Sequence, residues 1–552
     1  MTRITSSYDP KHKSARAARM VYGKVLELYA SQTEQLHGGG GEKAVARQHS
    51  KGRLSARERI ALLLDEGTEL LELGMFAAWD MYDEFGGVPS AGVVTGVGTV
   101  AGRRFMIVAN DATVKAGAFF PMTGKKVIRA QRIAIANHLP VIYLVDSAGV
   151  FLPLQEEVFP DEDDFGRVFR HNAILSGMGV SQIAAIMGAC VAGGAYLPAM
   201  CDTILMTEGS GMFLAGPALV RAAIGEVADA EELGGAEMHS AMSGTVDFRE
   251  PDDESCIARI RSLCEKLGPR PRLGFDRKKR PRKPRLDPAH LAEIVSMDAR
   301  RTYDVREIIG RLVDDSDFDE YRPDYGKTVV TGFARIDGWA VGIVANQKIN
   351  AKSKKRGVEF GGVIYVESAE KSARFVMDCN QNRIPLVFLH DVNGFMVGTE
   401  SEQAGIIRAG AKMVNAVSNS VVPKISVIMG GSFGAGHYAM CGKAYDPRFL
   451  FAWPSARYAV MSGDAASKVL VQIREAQLRK QGHEVDEEEH AKLVKDTKRR
   501  YTKALDPRYA AARLWVDAII DPADTRAAIS TALDVADLNP EMPPFRTGVL
   551  QA

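Results

Sequence analysis

Leu139-Pro-Val-Ile-Tyr-Leu-Val-Asp146-Ser-Ala-Gly149 and Ile384-Pro-Leu-Val-Phe-Leu-His-Asp391-Val-Asn-Gly394 are copies of one another, 245 residues apart. Each copy runs on through a polar helix into a second apolar strand that ends in glycines. The first ending is Gly188-Ala-Cys-Val-Ala-Gly193-Gly194-Ala195 and the second is Gly430-Gly431-Ser-Phe-Gly434-Ala-Gly436. Here the offset has fallen to 242, so the connecting loop differs by three residues while order and type persist. A repeat of this length means one fold used twice. Upstream, Val108-Ala109-Asn110 matches Val344-Ala345-Asn346, and Lys126 and Arg129 fall at the places of Lys371 and Arg374.

Working outward, the apolar runs are short and continuous, as in strands covered on both faces, and they alternate with helices. The first copy reads strand 105–110, helix 122–137, strand 141–146, helix 163–177, strand 182–188, helix 194–200. The second reads strand 340–346, helix 366–382, strand 386–391, helix 402–418, strand 425–430, helix 434–441. Strand–helix alternation predicts an α/β chain of parallel βαβ units. We place the domains at 1–286 and 287–552. Residues 11–35 and 53–65 read as leading helices, 474–503 as one long charged helix, and 509–520 as an apolar closing helix. Between Gly268 and Pro288, nine Lys or Arg and five prolines read as a solvated linker, or as local attraction for a phosphorylated ligand. With a single aromatic, Phe275, among the charges it does not read as a nucleic-acid patch.

Composition excludes several classes. Of 552 residues 46% are hydrophobic and 25% charged, with a net charge of +1, which argues against nucleic acid or an anionic membrane as partner. The six cysteines are scattered without a CxxC pair, as for reduced thiols rather than a zinc ribbon. No apolar run reaches the roughly 18 residues of a membrane span. A soluble, cytoplasmic protein is expected, or a matrix protein if the source is eukaryotic, since 3–19 is basic.

The glycine turns carry the chemistry. A strand that ends in glycines and opens a helix leaves N–H groups unpaired and pointing outward. Such a turn suits a phosphate or a developing oxyanion. The spacing is not GxGxxG, and Gly117 to Lys126 (GAFFPMTGKK) is not a Walker loop. Gly430-Gly-Ser432-Phe-Gly434 does match GxSxG, the elbow of a serine hydrolase. The later histidines it would need are His437, His483 and His490, and the other copy has Cys190 at the serine position.

At these residues the chain resembles the carboxyltransferase (β) subunits of biotin-dependent acyl-CoA carboxylases. The resemblance is carried by GGGGEKAVARQHSKGRLSARERIALLLDEG (38–67), FPDEDDFGRVF (159–169), MGACVAGGAYLPAMCD (187–202), the 213–244 segment, IPLVFLHDVNGFMVG (384–398), the 410–454 segment and YAAARLWVDAIIDPADTR (509–526). It is nearest to the methylcrotonyl-CoA carboxylase branch. It implies two tandem crotonase-like domains of the ββα-superhelix kind. It also implies transfer of a carboxyl group from carboxybiotin to an acyl-CoA through an enolate and CO₂. Gly193, Gly194 and Ala195 would form the oxyanion hole for the thioester enolate, and Gly434, Ala435 and Gly436 the one for the biotin oxygen. Ala148, Gly149, Gly394, Phe395, Ser432 and Phe433 flank the turns and are the cofactor-binding candidates. Biotin would supply the base, which explains why the motifs hold no obvious acid–base side chain.

The resemblance implies further a separate α subunit with biotin carboxylase and biotin carrier modules, a homohexameric β core, and no metal in this subunit. Ala411-Lys412-Met413 superficially looks like a biotinylation site but reads as part of an amphipathic helix. Some residues depart from the branch. Asp146 is followed by Ser147-Ala148-Gly149-Val150-Phe151, and His437 stands where an Asn is expected. Lys352 to Ser368 is more similar to broad acyl-CoA carboxylases and glutaconyl-CoA decarboxylase. A propionyl- or acetyl-CoA carboxylase β subunit and the decarboxylase component are thus the alternatives. Val150 and Phe151 either line an acyl pocket or simply pack.

Overall fold

The structure, a computed structural model, describes residues 3–353, 357–461, 463–481 and 486–551. Two sheets of eight strands, one from each copy of the repeat, carry the architecture. In the first, Val93–Val100 and Arg103–Asn110 form an antiparallel pair. Val141–Ser147, Gln182–Val191 and Thr203–Thr207 then add in parallel. In the second, Val329–Ile336 pairs antiparallel with Trp339–Asn346, followed in parallel by Leu386–Val392, Lys424–Phe433 and Phe449–Ala452. The parallel core follows from continuous apolar runs: every residue of Val141–Ser147 and of Leu386–Val392 is buried. The antiparallel hairpin at the head of each sheet departs from a purely βαβ reading.

Both copies keep the same irregularity. The register slips between Val145 and Ser147 in one sheet and between His390 and Val392 in the other. The third strand then runs on past the expected end, to Val191 and to Phe433. Cys190 and Ser432 are therefore strand residues, and the turns begin after them. The expected helix 194–200 is two short pieces, Ala192–Ala195 and Tyr196–Ala199.

Helix Pro121–Asn137 and its counterpart Val366–Gln381 cover equivalent faces. Their matched lysines are both buried, and burial pushes both down to about 7. Lys126 donates to the carbonyls of Ser90 and Val93. Arg129 forms a two-pronged pair with buried Asp517, 2.7 Å on each arm.

Two expectations fail. The charged segment is two helices, Gly463–Lys480 and Glu487–Leu505, and His483 lies outside the described residues, as do Lys354, Lys355 and Arg356 of the 352–368 motif. The 509–520 segment is helix Pro507–Ala512 followed by strand Ala518–Ile519, which pairs with Phe451–Ala452; the closing helix is Thr525–Ala536. The basic 268–288 stretch stays largely exposed, as a solvated linker should, and is anchored at a few points. Phe275 is buried, the backbone N–H groups of Gly274 and Phe275 donate to Asp537, and the Arg277 guanidinium lies 4.8 Å from the Trp339 ring centre. Arg282 and Arg285 both pair with Asp315 while staying exposed. The acids that anchor the stretch come from distant parts of the chain, and a local count of charge cannot see them.

The leading helix Lys13–His37 reaches the second sheet's side of the molecule, where the Tyr22 hydroxyl lies 3.0 Å from the Ser455 hydroxyl and Arg19 pairs with Glu293.

Candidate active site

Each glycine turn is built over a buried carboxylate. Asp146 accepts from the Ala189 N–H at 3.1 Å, and Asp391 accepts from the Gly431 N–H at 2.9 Å. The glycine just before each donor is obligatory. A Cβ on Gly188 would fall 2.1 Å from the Asp146 carboxyl, and one on Gly430 would fall 2.6 Å from that of Asp391. A carboxylate placed so deep needs a cation. In the first copy it is Arg59, itself 1% exposed, whose guanidinium also binds Asp253 at 2.7 Å and the Met187 carbonyl at 2.8 Å. Burial pushes the Asp146 carboxyl up, and Arg59 opposes it. In the second copy Lys348 pairs with Asp391 at 2.7 Å, and the Tyr303 hydroxyl donates to its other oxygen at 2.9 Å. These residues escaped the sequence reading. The signal was present, since Asp146 and Asp391 are identical in the repeat.

Above the carboxylates the strands turn. Ala192 and Gly434, at matching positions, both take the left-handed conformation, with φ of +57° and +54°. The helical segments Ala192–Ala195 and Gly434–Ala439 begin there. Gly434, Ala435 and Gly436 thus occupy a first α-helical turn, where N–H groups lack intrahelical partners, whereas Gly193 and Gly194 lie in a tighter 3₁₀ turn whose Gly194 and Ala195 N–H groups point back towards the carbonyls three residues earlier. The space around them differs. A Cβ on Gly194 would meet only the Gly149 Cα, at 3.9 Å. One on Gly436 would run into Val392 at 2.7 Å and Gly394 at 3.2 Å.

The flanking candidates divide by what they offer. The Ala148 N–H is committed to the Ala116 carbonyl and the Gly149 N–H to the Ser147 hydroxyl, so these residues shape the turn rather than donate. Gly394 (φ +127°) and Phe395 pair with Val363–Ile364, and the Phe395 ring rests on Gly410. Phe433 is buried. Ser432 is 1% exposed, and its hydroxyl faces inward, 2.8 Å from His437 Nδ1 and 3.1 Å from His390 Nδ1. Burial pushes His437 down to about 4, and it pushes His390 well below its usual range, helped by His437. A hydrolase elbow needs an exposed nucleophile and an acid behind its histidine; Ser432 is enclosed, its neighbours are two neutral imidazoles, and His490 pairs with Glu475 on an exposed helix. Cys190, the matching residue, is pushed up to about 12 by burial. Phe151 stacks on Phe120 with ring centres 4.1 Å apart, and partly buried Val150 packs against the main hydrophobic core. Lys412 lies on helix Ile406–Ser418, 3.7 Å from Glu370. Among the described residues no group of three or more His, Cys, Asp or Glu could hold a metal ion, and no helix is long and apolar enough to cross a membrane.

Residues 47–548 match the carboxyl transferase domain. The chain belongs to the carboxyl transferase family. It is 47% identical over 498 residues to the biotin-dependent 3-methylcrotonyl-coenzyme A carboxylase β1 subunit of Mycobacterium tuberculosis, covering 90% of this chain and 91% of that one. It is 45% identical over 533 residues to the mitochondrial methylcrotonoyl-CoA carboxylase β chain of Arabidopsis thaliana, covering 96% and 88%. The crystal structure of the P. aeruginosa geranyl-CoA carboxylase β subunit superimposes with a TM-score of 0.86 at 34% identity, over 100% and 99% of the two chains. The carboxyltransferase is crotonase-like in fold. It is an enzyme, the carboxyltransferase subunit of the biotin-dependent acyl-CoA carboxylases.

Proposed function

We propose that this carboxyltransferase acts on 3-methylcrotonyl-CoA or a close short branched acyl-CoA, with carboxybiotin delivered by a separate biotin-carrying subunit. The observation that carries the acyl group is the identity of 45–47% to methylcrotonyl subunits over nine-tenths or more of the chain. Carboxybiotin supplies the carboxyl group and the base. The N–H groups of Gly193, Gly194 and Ala195 face the thioester oxygen and stabilise the enolate as charge grows there. Those of Gly434, Ala435 and Gly436 do the same for the ureido oxygen. Supporting this reading are the positive-φ kink at Ala192 and at Gly434, from which each helical segment starts, and glycine at Gly193 and Gly436, where a Cβ would meet Phe165 and Val392.

A cavity of about 270 Å³ adjoins the first turn, with Asp146 and Ala189 in its wall and Arg47, Lys51, Arg53 and Lys115 around it. Four cations on one small cavity suit the phosphates of coenzyme A. Assembly as a hexamer, with the acyl-CoA half of one protomer facing the biotin half of another, rests on the family resemblance.

The test is carboxyl transfer from carboxybiotin to 3-methylcrotonyl-, propionyl-, acetyl- and geranyl-CoA with the α subunit present. The 3-methylcrotonyl thioester is expected to give the highest kcat/KM. A higher value with any of the others would refute the acyl assignment, and no transfer to any would refute the reading as a whole.

A further inference from the structure

The cavity beside the first turn has a counterpart beside the second. Its wall holds Lys348, Asp391 and Gly431, where the first holds Ala112, Asp146 and Ala189. These are matched positions: Ala112 and Lys348 each stand two residues after the paired Asn110 and Asn346, and the other two pairs are the carboxylates and their N–H donors. The repeat has therefore kept a hollow as well as a turn. The second hollow is the larger, about 520 Å³. In place of the cations around the first, it carries Arg300, Arg301 and Arg457, drawn from two separate segments.

Their charge is not fully spent. Arg300 pairs with Asp298 at 3.0 Å. Among the described residues, Arg301 donates to the Ser14 carbonyl at 3.3 Å and Arg457 to the Met297 carbonyl at 2.8 Å, and neither forms an ion pair. Carbonyls orient a guanidinium without neutralising it. Lys348 is already matched by Asp391 and adds nothing. Arg457 is held by strand Arg457–Ala459, whose first residue pairs with Gly431, so the side chain stands on a rigid base. We infer that this second cavity binds a phosphate-bearing small molecule of the nucleotide or coenzyme A class, gripped by Arg301 and Arg457. Guanidinium groups match phosphate oxygens in two-pronged fashion, and a hollow of this size takes a small ligand rather than a flat protein surface. The inference stands on the cavity's own arginines and not on what fills the first one.

Phenylglyoxal modification of the full-length protein, read arginine by arginine by mass spectrometry, tests it with pyrophosphate, ADP and coenzyme A as probes. At a probe concentration ten times its Kd, modification of Arg301 and Arg457 is expected to slow about tenfold. Protection by pyrophosphate alone would overturn the organic class in favour of an inorganic anion, and stronger protection by ADP or coenzyme A would bear it out. No protection of Arg301 and Arg457 by any of the three overturns the inference. Protection confined to Arg47 and Arg53 also overturns it, while leaving the first cavity's reading intact. The double variant Arg301→Gln/Arg457→Gln, checked for unchanged assembly by light scattering, is expected to lose one of two pyrophosphate sites in calorimetry. Retention of both sites would likewise overturn it.

Discussion

The two glycine turns share a foundation and differ in everything placed on it. Beneath both lies a buried aspartate that takes an N–H from the third strand and forbids a side chain one residue earlier. Yet the first imports its cation from a distant helix, while the second takes Lys348 from the adjoining loop and adds a tyrosine. The first turn leaves Gly194 in open space, whereas the second closes Gly436 against Val392 and Gly394. What was kept is the device that holds a strand end rigid. What diverged is the room above it, which is where two different substrates would need different shapes.

The sharpest way to break the comparison is at the foundation. Arg59 answers to two buried carboxylates, so Arg59→Met should cost about 3–5 kcal/mol of stability in chemical denaturation. Lys348→Met should cost less, because Tyr303 and the Gly431 N–H still hold Asp391. Equal losses would show that the cation's origin is irrelevant.

Next comes the room above. Gly436→Val should lower carboxyl transfer a hundredfold or more, about 3 kcal/mol, by displacing the donors. Gly194→Ala has space for its methyl group and should cost well under tenfold. If Gly194→Ala proves as damaging as Gly436→Val, the space at Gly194 is taken by substrate to within a methyl group. The difference between the turns would then be one of occupancy rather than packing.

Much of this was legible in the sequence. The repeat located both sheets, the paired central strands and the glycine turns, because continuous apolar runs admit few alternatives. What was not legible depends on contacts between distant residues. Nothing near Arg59 announces that it lies under a turn more than a hundred residues away. The points that anchor the exposed 268–288 stretch were hidden because Asp315 and Asp537 are remote in sequence. The extension of the strands to Val191 and Phe433 depends on a register slip, which alternation cannot reveal. Ser432 shows the converse hazard: its motif matched a hydrolase elbow, and only burial against His390 and His437 separates the two readings.

Those histidines offer a comparison by acidity. Histidine in an unfolded chain titrates near 6.5, whereas burial holds His437, and His171 in the first half, at about 4. As pH falls below about 6.5 the unfolded chain takes up protons that the native state refuses. The stability these groups confer is therefore complete above that value and drains away towards pH 4. At pH 5.5 each such histidine should cost about 1.4 kcal/mol. Burial holds His390 well below its usual range in the second half, and lowers His138 in the first. His437→Asn should flatten the slope of stability against pH between 6.5 and 4.5 by close to one proton. An unchanged slope would mean that His437 is already protonated in the folded protein.

The smallest effect lies at the kink itself. Ala192 and Gly434 share a left-handed conformation at the same point of the repeat, but only one of them is glycine. An alanine there is strained by roughly 1–2 kcal/mol, offset in part by the greater chain entropy a glycine would lose on folding. Ala192→Gly should accordingly stabilise the protein by about 1 kcal/mol. Gly434→Ala should destabilise by somewhat more, because its methyl group would also sit 2.9 Å from the Val460 carbonyl. Opposite signs from the paired exchange would show that the two turns share one backbone and differ only in how each accommodates it. A loss on Ala192→Gly would show instead that the alanine methyl makes packing contacts worth more than the strain, and the first turn would then be built around its side chain.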